Sequence, residues 1–224
     1  FGQRVLIVDI DPQSNATSCL GVDKNKVDGG TYEVLIRAQP ILSQILHNPR
    51  YKISLLPSTP ELAGAEIELI DVEHRESRLA QVLEPISTRY DYILVDCPPS
   101  LGLLTVNGLV AAKDGVLIPV QCEYLALEGL EQLTKTIQRV RSALFRDLEI
   151  RGVILTMYDG RTNLAADVLG EVQRAFGEKV FQSIIPRSIR LAEAPSYGMP
   201  ISTFAPDSSG AHSYLALAKE LLIS

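Results

Sequence analysis

The stretch RVLIVDIDPQ, residues 4–13, reads as a buried strand that ends in two carboxylates, Asp9 and Asp11. A second apolar run, residues 92–96, ends in the carboxylate of Asp96 and is followed by two prolines. Continuous apolar runs of this length are typical of parallel strands that helices cover on both faces. Because ligands of such sheets bind outside the carboxyl ends of the strands, these acidic residues are predicted to face one ligand site.

Apolar runs and amphipathic stretches alternate along the rest of the chain, which is the pattern of an α/β fold. We predict a single domain over residues 1–224, built on a doubly wound, mostly parallel sheet with helices on both faces. The predicted strands are residues 4–9, 53–57, 92–96, 115–119, 152–156 and 180–185. The predicted helices are residues 61–70, 76–84, 103–112, 127–144, 164–176 and 211–222, and residues 22–40 form a polar loop with one short helix.

Composition narrows the class of protein. The sequence has 224 residues, 46% of them hydrophobic, which is enough for a full core. A net charge of −6 does not favour nucleic-acid binding by the surface as a whole, so such a role requires a local basic patch. The three cysteines form no C-x-x-C pair, which argues for reduced thiols in a cytoplasmic protein. No apolar run is long enough to span a bilayer, and we expect no membrane partner.

The acidic strand ends suit phosphate chemistry. Residues two apart in a strand share a face, so Asp9 and Asp11 can reach one site. A carboxylate there can hold a water bound to Mg²⁺ or orient a water that attacks a phosphoryl group. An apolar run ending in Asp96 has the Walker-B pattern, in which the carboxylate accepts hydrogen bonds from metal-bound waters. Solvated acids at strand ends give the same pattern, and the residues alone leave both interpretations open.

Three arginines follow two of the later predicted strands. Arg161 lies in the loop at residues 159–163, and Arg187 and Arg190 lie in the loop at residues 186–190. Arginine binds phosphates well, whether they belong to a nucleotide or to a DNA backbone. Arginines that form salt bridges on the surface are the alternative, and three residues do not decide between the two.

Six ordered blocks of sequence resemble the ParA/Soj family of chromosome- and plasmid-partition ATPases, a deviant-Walker P-loop group that includes MinD. They are VLIVDIDPQSNATSCLG (5–21), YDYILVDCPPSLGLLTVNGL (90–109), IPVQCEYLALEGLEQL (118–133), GVILTMYDGRTNL (152–164), KVFQSIIPRSIRLAEAPSYGMPI (179–201) and SYLALAKEL (213–221). The blocks cover essentially the whole chain and are closest to chromosomal Soj-like members. The resemblance implies a homodimer that encloses two Mg-ATP molecules, binds double-stranded DNA without sequence preference and hydrolyses ATP when a ParB-type protein stimulates it.

The resemblance also assigns roles to residues at matching positions. Asp11 matches the residue that orients the hydrolytic water, and it is a further candidate for a water-mediated contact to Mg²⁺. Asp96 matches the Walker-B carboxylate, which serves Mg²⁺ through water. Pro186 and Arg187 match the loop that lies against the adenine base.

Arg161 and Arg190 match positions that serve DNA binding in Soj-like proteins. The acidic net charge is compatible with this role if the two arginines form a patch that only the dimer makes continuous. Doubling a weak phosphate-binding surface raises the overall affinity without any new kind of contact. A cytoplasmic protein associated with the nucleoid is therefore expected.

One part of the family pattern, the K-G-G-x-G-K-[ST]-T loop, does not occur in this sequence. In the family this loop cradles the β- and γ-phosphates, and it supplies a lysine that acts across the dimer and a threonine on Mg²⁺. We therefore expect the chain that begins at Phe1 to be a fragment without the first strand, the loop and the first helix of the fold. On its own it is expected to bind ATP poorly, hydrolyse it negligibly and expose an apolar sheet surface.

Three other functions fit parts of the sequence. A membrane-surface positioning ATPase like MinD needs a basic amphipathic tail, whereas the sequence given ends in the apolar residues 221–223 and a serine. An electron-transfer reductase like the nitrogenase iron protein needs cluster cysteines, for which Cys97 and Cys122 are the candidates. A non-enzymatic interaction module that truly starts near Phe1 would be expected to lose its acidic strand ends, and these are intact.

Overall fold

The computed structural model describes residues 1–223, which contain six strands, eleven α-helices and four short 3-10 helices. The strands are β1 Val5–Asp9, β2 Leu46–Asn48, β3 Ile53–Leu56, β4 Tyr92–Asp96, β5 Val116–Gln121 and β6 Ile150–Thr156. The helices are α1 Asn15–Cys19, α2 Thr31–Leu35, α3 Ile41–Gln44, α4 Leu62–Glu68, α5 Arg78–Leu83, α6 Leu103–Ala111, α7 Leu125–Ala143, α8 Asn163–Phe176, α9 Ile189–Glu193, α10 Ile201–Phe204 and α11 Ser209–Ile223. The α/β class predicted from the sequence is confirmed.

The described chain divides into two compact units, and the first contains the sheet β2-β3-β1-β4. Unit 1 comprises Phe1–Lys113 together with Ala143–Arg146. Strand β1 runs parallel to both β3 and β4, and β2 pairs antiparallel with β3. Parallel neighbours end at the same edge of a sheet, so the residues after β1, β3 and β4 meet there.

The core of unit 1 lies against one face of this sheet. Leu6 and Val8 have no exposed surface, because alternate residues of β1 point to the same buried face. Helices α4, α5 and α6 cover them with leucines, and each such side chain contributes about 1.5–3 kcal/mol when fully buried. The fully buried leucines of this cluster include Leu35, Leu56, Leu62, Leu69, Leu79 and Leu104. Packing of this kind fixes β1, and β1 in turn fixes the acidic residues at its end.

Unit 2 comprises Asp114–Ser142 together with residues 147–223 and contains the parallel pair β5-β6. The prediction of a strand at residues 180–185 is wrong, because this segment has only one isolated bridge, from Val180 to Val153. A second isolated bridge joins Pro186, the next residue, to Tyr158. Phe181 N–H donates to the Val153 carbonyl and Ile185 N–H donates to the Leu155 carbonyl, each at 2.9 Å. The two donors are four residues apart and the two acceptors only two, so this segment is too long to pair regularly with β6.

The other predicted elements are present. Five predicted strands and all six predicted helices lie within two residues of their observed ends, and the loop at residues 22–40 contains the short helix α2. Gly177 ends α8 with a positive φ of 55°, a backbone conformation that glycine adopts without strain. No helix in residues 1–223 is long and apolar enough to cross a membrane. That the two units form one nucleotide-binding domain stays a prediction.

Candidate functional site

Three carboxylates lie at the carboxyl ends of β1 and β4. The strand register places Asp9 opposite Asp96, and Ile10 N–H donates to the Asp96 carbonyl at 2.9 Å. Asp11 follows two residues after Asp9. Asp9 has no exposed surface, Asp11 is 7% exposed and Asp96 is exposed. The structure thus brings together the acidic residues that the sequence placed at two separate strand ends.

The Asp11 carboxylate is held on one side only. Gln13 N–H donates to Asp11 Oδ1 at 2.9 Å, and within residues 1–223 no other hydrogen bond reaches this carboxylate. The main chain is held as well, because Ser58 Oγ donates to the Asp11 carbonyl at 2.7 Å and Ser14 N–H donates to it at 2.9 Å. Oδ2 of Asp11 is therefore available to accept a hydrogen bond from a water or another ligand.

The electrostatics of this edge favour a cation. Partial burial, together with repulsion from the charges of Asp9 and Asp11, raises the pKa of Asp96 to about 6. Burial also raises the pKa of Asp9, although hydrogen bonds from Thr17 and Asp11 oppose that shift. A bound divalent cation and its waters would relieve the repulsion between the carboxylates.

Asp11 and Asp96 suit a cation that the protein holds through metal-bound waters and through the phosphates of a bound substrate. Among the described residues, no group of three or more histidine, cysteine, aspartate or glutamate side chains could hold a metal ion by itself. Asp96 is nevertheless exposed, and Asp11, although buried, keeps one carboxylate oxygen without a hydrogen bond. Neither carboxylate forms an ion pair with a lysine or arginine in residues 1–223. Mg²⁺ commonly keeps several waters and binds through one or two carboxylates plus the phosphates of a substrate, which is the arrangement these residues allow.

Unit 2 has a cavity of about 530 Å³ at the carboxyl ends of β5 and β6. Cys122 follows β5 and Met157 follows β6, and both line it. Tyr124, Leu125 and Leu164 supply exposed apolar surface at its wall. The volume lies within the range of small-molecule sites, which combine apolar walls with a few polar groups. The residue Met157, which sequence analysis missed, has a positive φ of 52°, a strained conformation of the kind found at functional sites.

Arg187 lines this cavity and Pro186 adjoins it. Arg187 forms an ion pair with Glu123, another residue of the cavity wall. Its N–H donates to the Tyr158 carbonyl at 2.9 Å, and Pro186 is bridged to the same tyrosine. These bonds hold the loop after residue 185 against the end of β6, so the Arg187 guanidinium stays at the rim of the cavity.

The other two predicted arginines form exposed ion pairs with near neighbours. Arg161 binds both carboxylate oxygens of Asp159, at 2.8 and 2.6 Å, and holds the pKa of that carboxyl well below its usual range. Arg190 lies in α9 and contacts Glu193 at 3.1 Å. The salt-bridge interpretation therefore describes both residues in the protein without ligand. Such exposed pairs contribute only about 0–1 kcal/mol, so a phosphate can compete for either guanidinium.

The cysteines do not suit a metal cluster. All three are free, and Cys122 is buried. Burial and the nearby charge of Asp96 raise the pKa of Cys97 to about 12, so this thiol stays protonated at neutral pH. Cluster ligation requires the thiolate, which this environment disfavours.

Sequence analysis also missed the buried polar residues that surround the acidic edge. Thr17, Thr31 and Ser58 have no exposed surface, and each makes a hydrogen bond to the segment that contains Asp9 and Asp11. The one sequence feature that could have indicated these residues is the polar pair Ser58-Thr59, which directly follows an apolar run. Since parallel strands end at one edge, residues after β3 were bound to lie near residues after β1.

Comparison with known proteins gives consistent matches. Residues 1–150 match the family model AAA_31, described as an AAA domain. The chain is 52% identical to the sporulation initiation inhibitor protein Soj of Bacillus subtilis, covering 99% of this chain and 87% of that protein. It is 50% identical to the chromosome partitioning protein ParA of Myxococcus xanthus, covering 98% of this chain and 77% of that protein.

Two solved structures show the same fold. A cobyrinic acid a,c-diamide synthase from Mycobacterium smegmatis with bound ADP and magnesium is 36% identical, with a TM-score of 0.85 over 99% of this chain and 82% of that one. The septum site-determining protein MinD of Pyrococcus horikoshii, complexed with Mg-ADP, is 24% identical, with a TM-score of 0.76 over 98% and 84% of the two chains. The second likeness concerns the fold alone.

Proposed function

The chain belongs to the ParA/Soj family of chromosome-partitioning proteins, and from that premise we propose that it is an ATP-dependent switch that segregates DNA. The observation that carries this proposal is the set of carboxylates at the ends of β1 and β4, with Asp96 exposed and one oxygen of Asp11 left open. Family members are P-loop ATPases, and solved relatives hold ADP or an ATP analogue with magnesium. ATP and Mg²⁺ are therefore the cofactors.

Bound Mg-ATP would supply the phosphoryl group and the cation that neutralises developing charge. Asp96 would accept hydrogen bonds from waters bound to Mg²⁺. Its carboxylate is exposed, and a nearby cation would offset the repulsion from Asp9 and Asp11. Asp11 would use the oxygen that Gln13 leaves open to order the attacking water. Holding that water in line is a positioning task, and positioning with charge stabilisation supplies most of the catalysis in phosphoryl transfer.

The cavity of unit 2 is the proposed site of the adenine base. Its apolar wall at Tyr124, Leu125 and Leu164 would cover the ring, and Arg187 would lie at its polar edge. Pro186 would act through the main chain, since its bridge to Tyr158 fixes the loop.

Replacing Arg187 by alanine is expected to weaken ATP binding about fivefold, which corresponds to about 1 kcal/mol, the usual size of a cation contact with an aromatic ring. The dissociation constant of a fluorescent ATP analogue measures this effect. Arg174→Ala is the matched control, because Arg174 is an exposed, ion-paired arginine on α8. Equal affinity of the wild type and Arg187→Ala for the ATP analogue would contradict the proposal that the adenine base binds in this cavity.

The proposed switch acts on DNA as a homodimer. ATP binding would license the dimer, the dimer would bind double-stranded DNA through Arg161 and Arg190, and a ParB-type partner would stimulate hydrolysis and release. This would place the protein in the cytoplasm, on the nucleoid. The support is the family membership together with two exposed guanidinium groups whose present ion pairs are weak.

Replacing Arg161 and Arg190 together by alanine is expected to weaken DNA binding at least about tenfold at low salt and to spare ATP binding. Each phosphate contact that is lost should lower the slope of log affinity against log salt by about 0.9. Titration of a nonspecific duplex at several salt concentrations, with ATP present, gives both quantities. Arg141→Ala with Arg174→Ala removes the same charge from helices α7 and α8, and an equal loss in that control would refute the assignment.

The proposed activity is tested by ATP hydrolysis of the full-length gene product. We expect slow turnover that requires Mg²⁺ and rises when DNA and a ParB-type partner are both present. Absence of turnover under all of these conditions would contradict the proposal. Flotation with anionic vesicles tests the alternative of a membrane-surface positioning ATPase, for which ATP-dependent flotation is the expected sign.

A further inference from the structure

Asp9 is a fully buried carboxylate to which the proposed mechanism gives no task. It has no exposed surface, and no lysine or arginine of residues 1–223 forms an ion pair with it. A buried charge without a cation is strongly destabilising unless donors surround it. The donors that compensate Asp9 therefore show what the carboxylate holds in place.

Both oxygens of Asp9 bind the segment that contains Asp11. Oδ2 accepts from Thr17 N–H at 2.8 Å and from Thr17 Oγ1 at 2.6 Å. Oδ1 accepts from Asp11 N–H at 3.1 Å. The carboxylate thus ties together the two ends of residues 11–17, a turn in which Ser14 has a positive φ of 57°. A non-glycine residue in that conformation persists only when its surroundings hold it there.

Ser58, just after β3, closes the set of contacts. Its N–H donates to Thr17 Oγ1 at 3.0 Å, and its Oγ donates to the Asp11 carbonyl at 2.7 Å. The Thr17 hydroxyl therefore donates to Asp9 and accepts from Ser58 at the same time. Asp9, Thr17, Ser58 and the main chain of Asp11 form a closed ring of hydrogen bonds, all of it buried.

We propose that Asp9, Thr17 and Ser58 are positioning residues that hold Asp11 in the orientation needed to order the attacking water. The inference rests on the proposed role of Asp11, to which it adds the residues that set its geometry. The ring fixes Asp11 from two sides, through its N–H and through its carbonyl, and leaves one carboxylate oxygen open. Removing a hydrogen-bond partner of a metal-ligating side chain typically costs about 10- to 100-fold in affinity or activity, and we expect a loss of similar size for the partners of Asp11.

Thr17 gives the sharpest test, because valine has its shape without the hydroxyl and serine has the hydroxyl without the methyl group. Thr17→Val removes one donor to Asp9 and the acceptor of Ser58 N–H. We expect kcat for ATP of the full-length gene product to fall about tenfold or more, with KM close to that of the wild type. The melting temperature should fall as well, because Asp9 and Ser58 N–H each lose a buried partner. Thr17→Ser should restore kcat to within about threefold. Thr134→Val, which removes a hydroxyl bonded to the main chain of α7, is the matched control.

A second readout does not depend on hydrolysis. Hydrogen–deuterium exchange of a peptide covering residues 10–20, measured without nucleotide, should be faster in Thr17→Val than in the wild type and Thr17→Ser. If the full-length wild type shows no ATPase activity but this exchange pattern holds, the ring is supported and the proposed function fails. If the wild type hydrolyses ATP and Thr17→Val matches it in both kcat and exchange, the ring is refuted.

A purely structural role predicts a different outcome. In that case ATP affinity would fall together with kcat in Thr17→Val, and kcat would follow the melting temperature rather than the presence of the hydroxyl. That result would overturn the proposal. Ser58→Ala serves where Thr17→Val does not fold, because it removes only the hydroxyl that donates to the Asp11 carbonyl. Unchanged kcat in a folded Ser58→Ala protein would equally refute the ring.

Discussion

Replacing Asp11 by asparagine is expected to lower kcat for ATP at least about a hundredfold while ATP-dependent DNA binding persists. The amide has the same shape as the carboxylate and can still accept from Gln13 N–H through its oxygen. Its second position then carries an NH₂ group, which donates and cannot accept a hydrogen bond from the attacking water. Binding of ATP does not need that acceptor, so the nucleotide-bound state should accumulate.

Steady-state hydrolysis and DNA titration in the presence of ATP measure the two halves of this expectation. Asp114→Asn removes the same charge at an exposed position between α6 and β5 and should leave both quantities unchanged. Turnover of Asp11→Asn near the wild-type rate would assign the attacking water to another group. Loss of DNA binding together with turnover would mean that Asp11 is needed for the bound state itself.

The acidic site was predictable from the sequence because its signals are local. Asp9 and Asp96 each end an apolar run, and hydrophobic periodicity located β1 and β4 within one residue. Parallel pairing then requires that the two strand ends meet at one edge. Which strands are neighbours is not a local property, however, and only the structure gives the register that sets Asp9 opposite Asp96.

The segment at residues 180–185 shows where local reasoning failed. Val180, Phe181 and Ile185 gave the segment a strand-like composition, but it lacks regular pairing because its donors are spaced twice as far apart as the acceptors on β6. The short strand β2 and the one-turn helices α1, α3, α9 and α10 were missed for a related reason. Elements of three to five residues contain too few positions for a period to be detected, and tertiary contacts decide them.

The buried ring around Asp11 was out of reach for a different reason. Serine and threonine after a strand usually cap helices or form turns, so Thr17 and Ser58 had an ordinary local explanation. They are 41 positions apart in the chain, and Ser58 N–H reaches Thr17 Oγ1 only because β3 and β1 are adjacent. Buried polar contacts of this kind depend on the complete fold.

Replacing Asp96 by asparagine is expected to lower the affinity for Mg²⁺ and to raise the thermal stability of the magnesium-free protein. The affinity for Mg²⁺ in the presence of ATP should fall about 10- to 100-fold, because an amide accepts more weakly than a carboxylate from metal-bound waters. The melting temperature of the magnesium-free protein should rise at pH 8. The reason is that Asp96 is charged at that pH, and this charge is both partly removed from water and repelled by Asp9 and Asp11, whereas asparagine is neutral.

The pH dependence identifies the cause. The pKa of Asp96 rises from 3.8 to about 6 on folding, so the folded protein holds this proton more tightly than the unfolded chain does. The protonated Asp96 carboxyl therefore contributes its full stabilisation of the folded state below pH 3.8, and this contribution is lost as the pH rises through about 6. Asp96→Asn should match the wild type at pH 4 and melt higher than the wild type above pH 7.

Asp91→Asn is the matched control for this experiment, because Asp91 immediately precedes β4 and has the opposite shift. Arg4 lowers the pKa of Asp91 to about 2, so its charged form is favoured by folding. Removing that charge should lower the melting temperature at pH 8 or leave it unchanged. Thermal melts in EDTA and in excess Mg²⁺ complete the test, since Mg²⁺ should raise the melting temperature of the wild type more than that of Asp96→Asn. A gain for Asp96→Asn that is the same at pH 4 and pH 8 would show that the charge of Asp96 is not its source.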